Sequence, residues 1–228
     1  MQNKLQEKNL DENTLVFFIS DNGGPIIATT TVNGSINTPL RGSKRTTLEG
    51  GVRVPFLVKW PGHVPPNKVY EKPVIQLDIL PTALAAAGID VAPEAQLEGF
   101  NLLPFLNGDN KNAPHDALYW RFGKQMAIRQ GDWKLVKYDP VVDGQKGGKG
   151  TATEAKLYNL ANDIGETKNL IDQEPEMAKA LQATWDKWNE SNVPPAWGDG
   201  GKGKKAKGRK QQQRAASRRA VDVSPAGN

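Results

Sequence analysis

The spacing of apolar residues changes along the chain, and the changes mark out its elements. At residues 15–19 five aromatic, β-branched or aliphatic side chains run together (Leu15-Val16-Phe17-Phe18-Ile19) and end at Ser20-Asp21-Asn22-Gly23-Gly24. An uninterrupted apolar run of this length predicts a strand buried on both faces, as the inner strands of parallel α/β sheets are. Residues 1–9 (MQNKLQEKN) read as the last turns of a helix, joined to that strand through the turn-forming residues 11–14. A helix, a short loop and a buried strand make half of a βαβ unit, so the chain is expected to begin inside a domain. Residues 26–39 are rich in Thr, Asn and Gly and lack a period, which predicts a loop over the end of the strand. A second strand is expected at 54–60, with Pro55 near its start and Pro61-Gly62-His63 ending it.

Further on, Ile75, Leu77, Ile79, Leu80, Leu84 and Ala87 suit helical segments over 74–87, with Pro81 acceptable in a first turn and Gly88 as the C-terminal cap. Residues 100–106 predict a further short helix ended by Asn107-Gly108. Beyond about residue 114 the pattern becomes that of short strands at 117–122, 125–129 and 133–138, the last two joined through Gln130-Gly131-Asp132. The Gly- and Lys-rich stretch 140–153 predicts a mobile loop. A strand at 156–160 and a turn at 162–166 follow. Residues 175–189 carry Met177, Leu181, Trp185 and Trp188 on one side of an amphipathic helix.

Charge changes the picture only at the end of the chain. The 228 residues carry a formal charge of +5, but residues 201–228 hold nine Lys or Arg against the single acid Asp222, a balance of +8. The first 200 residues then hold 21 basic and 24 acidic side chains, a balance of −3, so the basic character belongs to the tail. Low hydrophobicity and dense positive charge predict disorder from residue 198 onward. Nine cations could neutralise phosphates or other polyanions without regard to sequence. The tail has no stacking aromatic and no motif that reads bases, so no specific nucleic-acid partner is expected. Cysteine is absent, which excludes disulfides and thiolate metal sites. No apolar run reaches the roughly 18 residues of a membrane span, and the first ten residues lack the apolar segment of a signal peptide.

The candidate chemistry lies between residues 15 and 60. Asp21 and Asn22 sit where the first strand stops, and ligands bind at the carboxyl ends of strands in open α/β sheets. Two adjacent oxygen donors there can hold a hard cation, although Asp-Asn-Gly-Gly is also a good tight turn. Lys44 is the nearby cation, with Arg41 and Arg45 as alternatives. His63 and His115 lie in ordinary loop contexts and carry no assigned role.

The strand, Asp-Asn-Gly, then about twenty residues later Leu40-Arg41-Gly42-Ser43-Lys44-Arg45-Thr46-Thr47-Leu48-Glu49-Gly50-Gly51-Val52-Arg53-Val54-Pro55, and then Trp60-Pro61-Gly62, together resemble the sulfatase family of the alkaline-phosphatase-like superfamily. The resemblance continues through Gln76-Leu77-Asp78-Ile79-Leu80-Pro81-Thr82 to Leu157-Tyr158-Asn159-Leu160 and covers most of residues 1–195. It implies an α/β fold: the C-terminal part of an alkaline-phosphatase-like mixed sheet core at 1–113, then a small α+β subdomain of antiparallel sheet plus helix at 114–197, then the basic tail. It implies hydrolysis of sulfate esters, on a sulfated carbohydrate or an aryl sulfate, in a periplasmic or secreted setting. Asp21 and Asn22 match the second pair of Ca²⁺ ligands, and Lys44 matches the lysine that contacts the sulfate. The family's N-terminal aspartate pair and its Cys-or-Ser-x-Pro-x-Arg motif, the source of the formylglycine nucleophile, have no match here. The resemblance therefore implies the C-terminal part of a sulfatase, inactive alone. A phosphatase or phosphodiesterase of the same superfamily is the nearest alternative, and a polyanion-binding protein acting through the tail is the more distant one.

Overall fold

The computed structural model describes residues 1–26, 34–147 and 151–193. The expected disordered tail, half of the 26–39 loop and part of the 140–153 loop lie outside the described residues. Helix α1 (Gln2–Glu7) precedes strand β1 (Val16–Ile19), and a single turn of helix, α2 (Glu49–Val52), precedes strand β2 (Phe56–Lys59). Strands β1 and β2 form a two-stranded antiparallel sheet with Phe18 opposite Leu57. This corrects the expectation of a strand buried on both faces in a parallel sheet. Phe17 packs edge-on against Phe56 on one face, with ring centroids 6.1 Å apart. Phe18 and Leu57 are 66% and 55% exposed on the other, because no further element among the described residues covers them. Pro55 lacks an N–H, so it takes part only through its carbonyl, which accepts from the Ser20 N–H, and β2 begins one residue later.

A single turn of 3₁₀ helix at Gln76–Asp78 leads into α3 (Ile79–Ala86), which ends where Gly88 follows, and α4 (Leu103–Leu106) is the short helix expected at 100–106. Asp78 organises this region from a fully buried position. One carboxylate oxygen accepts from the Ile75 N–H at 2.9 Å and the other from the Phe100 N–H at 2.9 Å. His115 Nε2 lies 2.8 and 2.9 Å from the two oxygens, and its ring meets Phe100 edge-on. His115 is thus a structural partner of Asp78, tying the stretch that precedes the second sheet to helix α3. Asp78→Ala would strand these donors, so it is expected to lower stability by about 3 kcal/mol or more, while Asp78→Asn, which keeps one acceptor oxygen, should cost clearly less. Chemical denaturation of the two variants checks the ordering, and equal losses would contradict it.

The second sheet is antiparallel throughout, in the order β3 (Leu118–Phe122), β4 (Gln125–Gln130), β5 (Trp133–Lys137), β6 (Lys156–Asn159), and helix α5 (Pro175–Glu190) packs across it. Strand side chains alternate between faces, and here both faces are buried. Met126, Ile128, Leu135 and Leu157 meet Ala178 and Leu181 of α5. Ala127, Val136, Tyr138, Tyr158 and Leu160 point the other way and enclose Leu48, which is fully buried. The sheet is therefore covered by α5 on one side and by the 41–49 loop on the other. Burying a leucine contributes about 1.5–3 kcal/mol, so Leu48 is a substantial anchor for that loop.

The stretch expected to be a mobile loop is ordered over 140–147. Pro140–Asp143 form a 3₁₀ turn with the Asp139 carboxylate accepting from the Val141 N–H, and Asp143 is held by ion pairs with Arg41 and Lys156. The glycine and lysine content conceals these partners, which are remote in sequence.

Candidate active site

The two candidate segments meet at glycines. A Cβ on Gly23 would collide with the carbonyl oxygen of Gly50, and one on Gly51 with that of Thr46. The backbones approach so closely that only glycine fits. The Gly23 N–H donates to the Gly51 carbonyl at 3.0 Å, which fixes the turn after β1 against α2. The Gly24 carbonyl then accepts three bonds: from Asn37 Nδ2 at 2.9 Å, from Ser43 Oγ at 3.2 Å and from the Lys44 N–H at 3.3 Å. The segment carrying Lys44 is thereby joined to a carbonyl three residues after Asp21.

The turn is braced from the side as well. Gln76 Nε2 donates to the carbonyls of Ser20 and Asp21 at 2.8 and 3.3 Å, and Ser20 Oγ donates to the Asn22 carbonyl at 2.8 Å. Asn22 Nδ2 donates to the Gly23 carbonyl at 3.0 Å, so the amide nitrogen is occupied, while its oxygen has no hydrogen-bond partner among the described residues. The Asp21 carboxylate is exposed and makes no hydrogen bond or ion pair among the described residues. Asp21 and Asn22 line a cleft of about 620 Å³ whose walls include Glu49, Arg53, Trp120 and Arg129. Lys44 is exposed and without a side-chain partner among the described residues, and it does not line that cleft.

Of the two arginine alternatives, Arg41 is committed elsewhere. Its guanidinium donates to the Glu166 carbonyl at 2.8 Å and to the Tyr138 hydroxyl at 3.1 Å, and pairs with Asp143. Burial works against the Asp143 charge, but bonds from Tyr138 and Lys156 and the nearby Arg41 hold its carboxyl below the usual range. Burial pushes the Tyr158 phenol up to about 12 in the same nest of groups. Arg45 is exposed with φ of 75°, and it is its carbonyl that is anchored, accepting from Gln125 Nε2 at 3.0 Å.

Sequence reasoning did not single out Glu49, Lys134 and Glu166. Lys134 is fully buried on β5, with its ammonium 2.7 Å from Glu49 and 3.0 Å from Glu166. Glu166 also accepts from the Glu49 N–H at 2.7 Å. Burial opposes the Glu49 charge, yet Lys134, with Arg129 and Arg53 beyond, holds that carboxyl below its usual value. For Glu166 burial dominates and pushes the carboxyl up, against the pull of Lys134 and the bond from the Glu49 N–H, and the nearby Glu49 charge adds to the rise. Desolvation would lower the Lys134 value, but the two carboxylates outweigh it and raise it. The available signal was a lysine at the period-two position shared with Val136 and Tyr138, a core face on which a charge requires a partner.

Comparison with known proteins places this architecture. The sulfatase family model matches residues 2–89. Arylsulfatase A of Bos taurus is 36% identical over 186 residues, covering 75% of this chain and 36% of that protein. N-acetylgalactosamine-6-sulfatase of Homo sapiens is 39% identical over 131 residues, covering 57% of this chain and 24% of that protein. The solved structure of Ps i-CgsB in complex with k-i-k-neocarrahexaose superposes with a TM-score of 0.69 at 29% identity, over 96% of this chain and 45% of that one. The chain belongs to the sulfatase family, and its match is to the C-terminal part of those proteins. It spans about a third of the length of arylsulfatase A and under half of the solved neighbour.

Proposed function

We propose that this chain carries the part of a sulfatase active site that binds calcium and the transferring sulfate, for hydrolysis of sulfate esters of carbohydrates or aryl alcohols. The observation that supports this most is the hub at the Gly24 carbonyl. It joins the turn bearing the Asp21 carboxylate to the loop bearing the Lys44 ammonium, two exposed charges of opposite sign that have no partner among the described residues and do not neutralise one another. Asp21 and the Asn22 amide oxygen suit a hard cation, which takes about six to eight oxygens, so they are part of a ligand set that needs further donors. Among the described residues there is no cluster of three or more acidic, histidine or cysteine side chains to complete it. When bound, Ca²⁺ would draw charge from a sulfate oxygen. Lys44 would offset the charge that develops as the S–O bond breaks, and the backbone bonds from Gln76 and to Gly51 brace the turn that carries the two donors. The formylglycine nucleophile belongs to the family's N-terminal part. On this reading 1–113 form the core portion, 114–197 the C-terminal subdomain, and the setting is periplasmic or secreted.

The test is a fusion that places the N-terminal part of a sulfatase relative ahead of residue 1, with formylglycine conversion verified by mass spectrometry. It should hydrolyse an aryl sulfate far faster than the matching aryl phosphate. Preference for the phosphate would assign the site to the phosphatase branch of the superfamily.

A further inference from the structure

We propose that Lys134 is a positioning residue for the sulfate-binding segment, acting through Glu49 from the C-terminal sheet. The inference rests on the function proposed above, since only there does Lys44 have a sulfate to meet. The geometry runs in one chain of contacts. The Lys134 ammonium is held between Glu49 and Glu166 at 2.7 and 3.0 Å. Glu49 opens the helical turn whose next two residues carry the site: the Gly50 N–H donates to the Arg41 carbonyl at 2.7 Å, and the Gly51 carbonyl receives the Gly23 N–H at 3.0 Å. A displacement of Glu49 would move the Asp21-Asn22 turn and the Lys44 segment together.

The rest of the loop is attached to the same sheet. Gln125 holds the Arg45 carbonyl, Thr47 Oγ1 donates to the Lys137 carbonyl at 2.9 Å, and Leu48 fills the apolar pocket between Ala127 and Tyr158. The Lys44 side chain makes no hydrogen bond or ion pair among the described residues, so its aim is set by the loop that carries it. A lysine fully enclosed by two carboxylates is a poor choice for stability alone, because an apolar group of the same shape often serves as well. Its value here is directional: a buried charge pair fixes one register of loop on sheet, whereas Leu48 alone would tolerate small slips.

Removing the lysine creates a specific electrostatic state. In Lys134→Met, Glu49 and Glu166 would face one another, with Arg53 and Arg129, 3.7 and 4.0 Å from Glu49, as the remaining cations at that carboxylate, and Arg41 touching only the Glu166 carbonyl. Two carboxylates this close relieve their repulsion by sharing a proton. Order in the loop should then depend on pH in the variant, returning as the pH falls, while it should not in the parent chain.

The experiment is amide hydrogen exchange on the 228-residue chain, read at Gly23, Lys44, Gly50 and Gly51 and compared with Met126 and Ile128 inside the sheet. In Lys134→Met the four loop amides should exchange about tenfold faster or more at neutral pH, with Met126 and Ile128 much less affected. After correction for the intrinsic rate, the loop amides should recover toward parent values near about pH 5. An equal acceleration in loop and sheet, or a loop effect that ignores pH, would reduce Lys134 to general packing and overturn the proposal. Should Lys134→Met not fold, Glu166→Ala asks the same question by withdrawing the acceptor of the Glu49 N–H, with Glu166→Gln, which keeps an oxygen there, as the rescue. Faster loop exchange in the alanine variant and near-parent exchange in the glutamine variant is the expected pair, and identical behaviour overturns the proposal. A parallel titration of the fusion described above, with calcium chloride and then sodium sulfate, separates the two levels: if sulfate leaves the Lys44 amide unmoved there, the functional proposal fails while the exchange pattern of the chain still decides the role of Lys134.

Discussion

Lys44→Ala, in a fusion carrying the N-terminal part of a sulfatase relative, should lower turnover of a sulfate ester by about two to three powers of ten, the effect of removing one preorganised charge from a developing anion. The melting temperature should hardly move, because the side chain is exposed and unpaired among the described residues. Arg45→Ala is the adjacent control. Its guanidinium is exposed and its anchored atom is the carbonyl, which alanine retains, so the loss of activity should be far smaller. Arg41→Ala should behave in the opposite sense. It would leave Asp143, Tyr138 and the Glu166 carbonyl without their guanidinium, so stability should fall, and activity with it. Equal activity losses for Lys44→Ala and Arg45→Ala, or a Lys44 loss that follows the melting temperature, would make the segment scaffolding and send the search for the sulfate ligand elsewhere.

Asp21→Ala should weaken calcium binding and abolish turnover in the same fusion. A hard cation depends on anionic oxygens, and the Asn22 amide cannot replace the lost charge. The substitution leaves the turn itself supported, since the bonds from Gln76 go to the carbonyls of Ser20 and Asp21 and the bond from Gly23 goes to Gly51. The folded state should therefore persist while the site fails. His63→Ala is the negative control: its ring stacks on Trp60 with centroids 3.9 Å apart, away from any assigned chemistry. Unchanged calcium affinity in Asp21→Ala would return Asp-Asn-Gly-Gly to its other meaning, a tight turn.

Much of the C-terminal sheet could be anticipated from local pattern. Strands β3 to β6 and helix α5 start and stop within a residue or two of where alternation, Gly131 and Pro175 put them, because hairpins and an amphipathic helix are specified by neighbours in sequence. The pairing of β1 was misjudged for the opposite reason. An apolar run reports that a strand wants burial, but not which strand lies beside it, and Val16–Ile19 pairs with residues forty positions away in antiparallel register. Asp21, Asn22 and Lys44 are singled out only through a motif, and their role rests on the proposal above. The contacts that hold them were not, since Gly23 to Gly51, Gln76 to Ser20 and Glu49 to Lys134 each join segments separated by tens of residues. His115 shows the same limit, an ordinary loop residue by context and a buried partner of Asp78 in the fold.

The most direct measurement is a heteronuclear NMR titration, with calcium chloride and then sodium sulfate, of the fusion carrying the N-terminal part of a sulfatase relative ahead of residue 1, repeated on Asp21→Ala and Lys44→Ala. Calcium should move the amides of residues 20–24, and sulfate added afterwards should move those of 42–45. The first response should vanish in Asp21→Ala and the second in Lys44→Ala. Responses of the same size in parent and variants, or responses confined to the basic residues beyond 200, would contradict the proposed site.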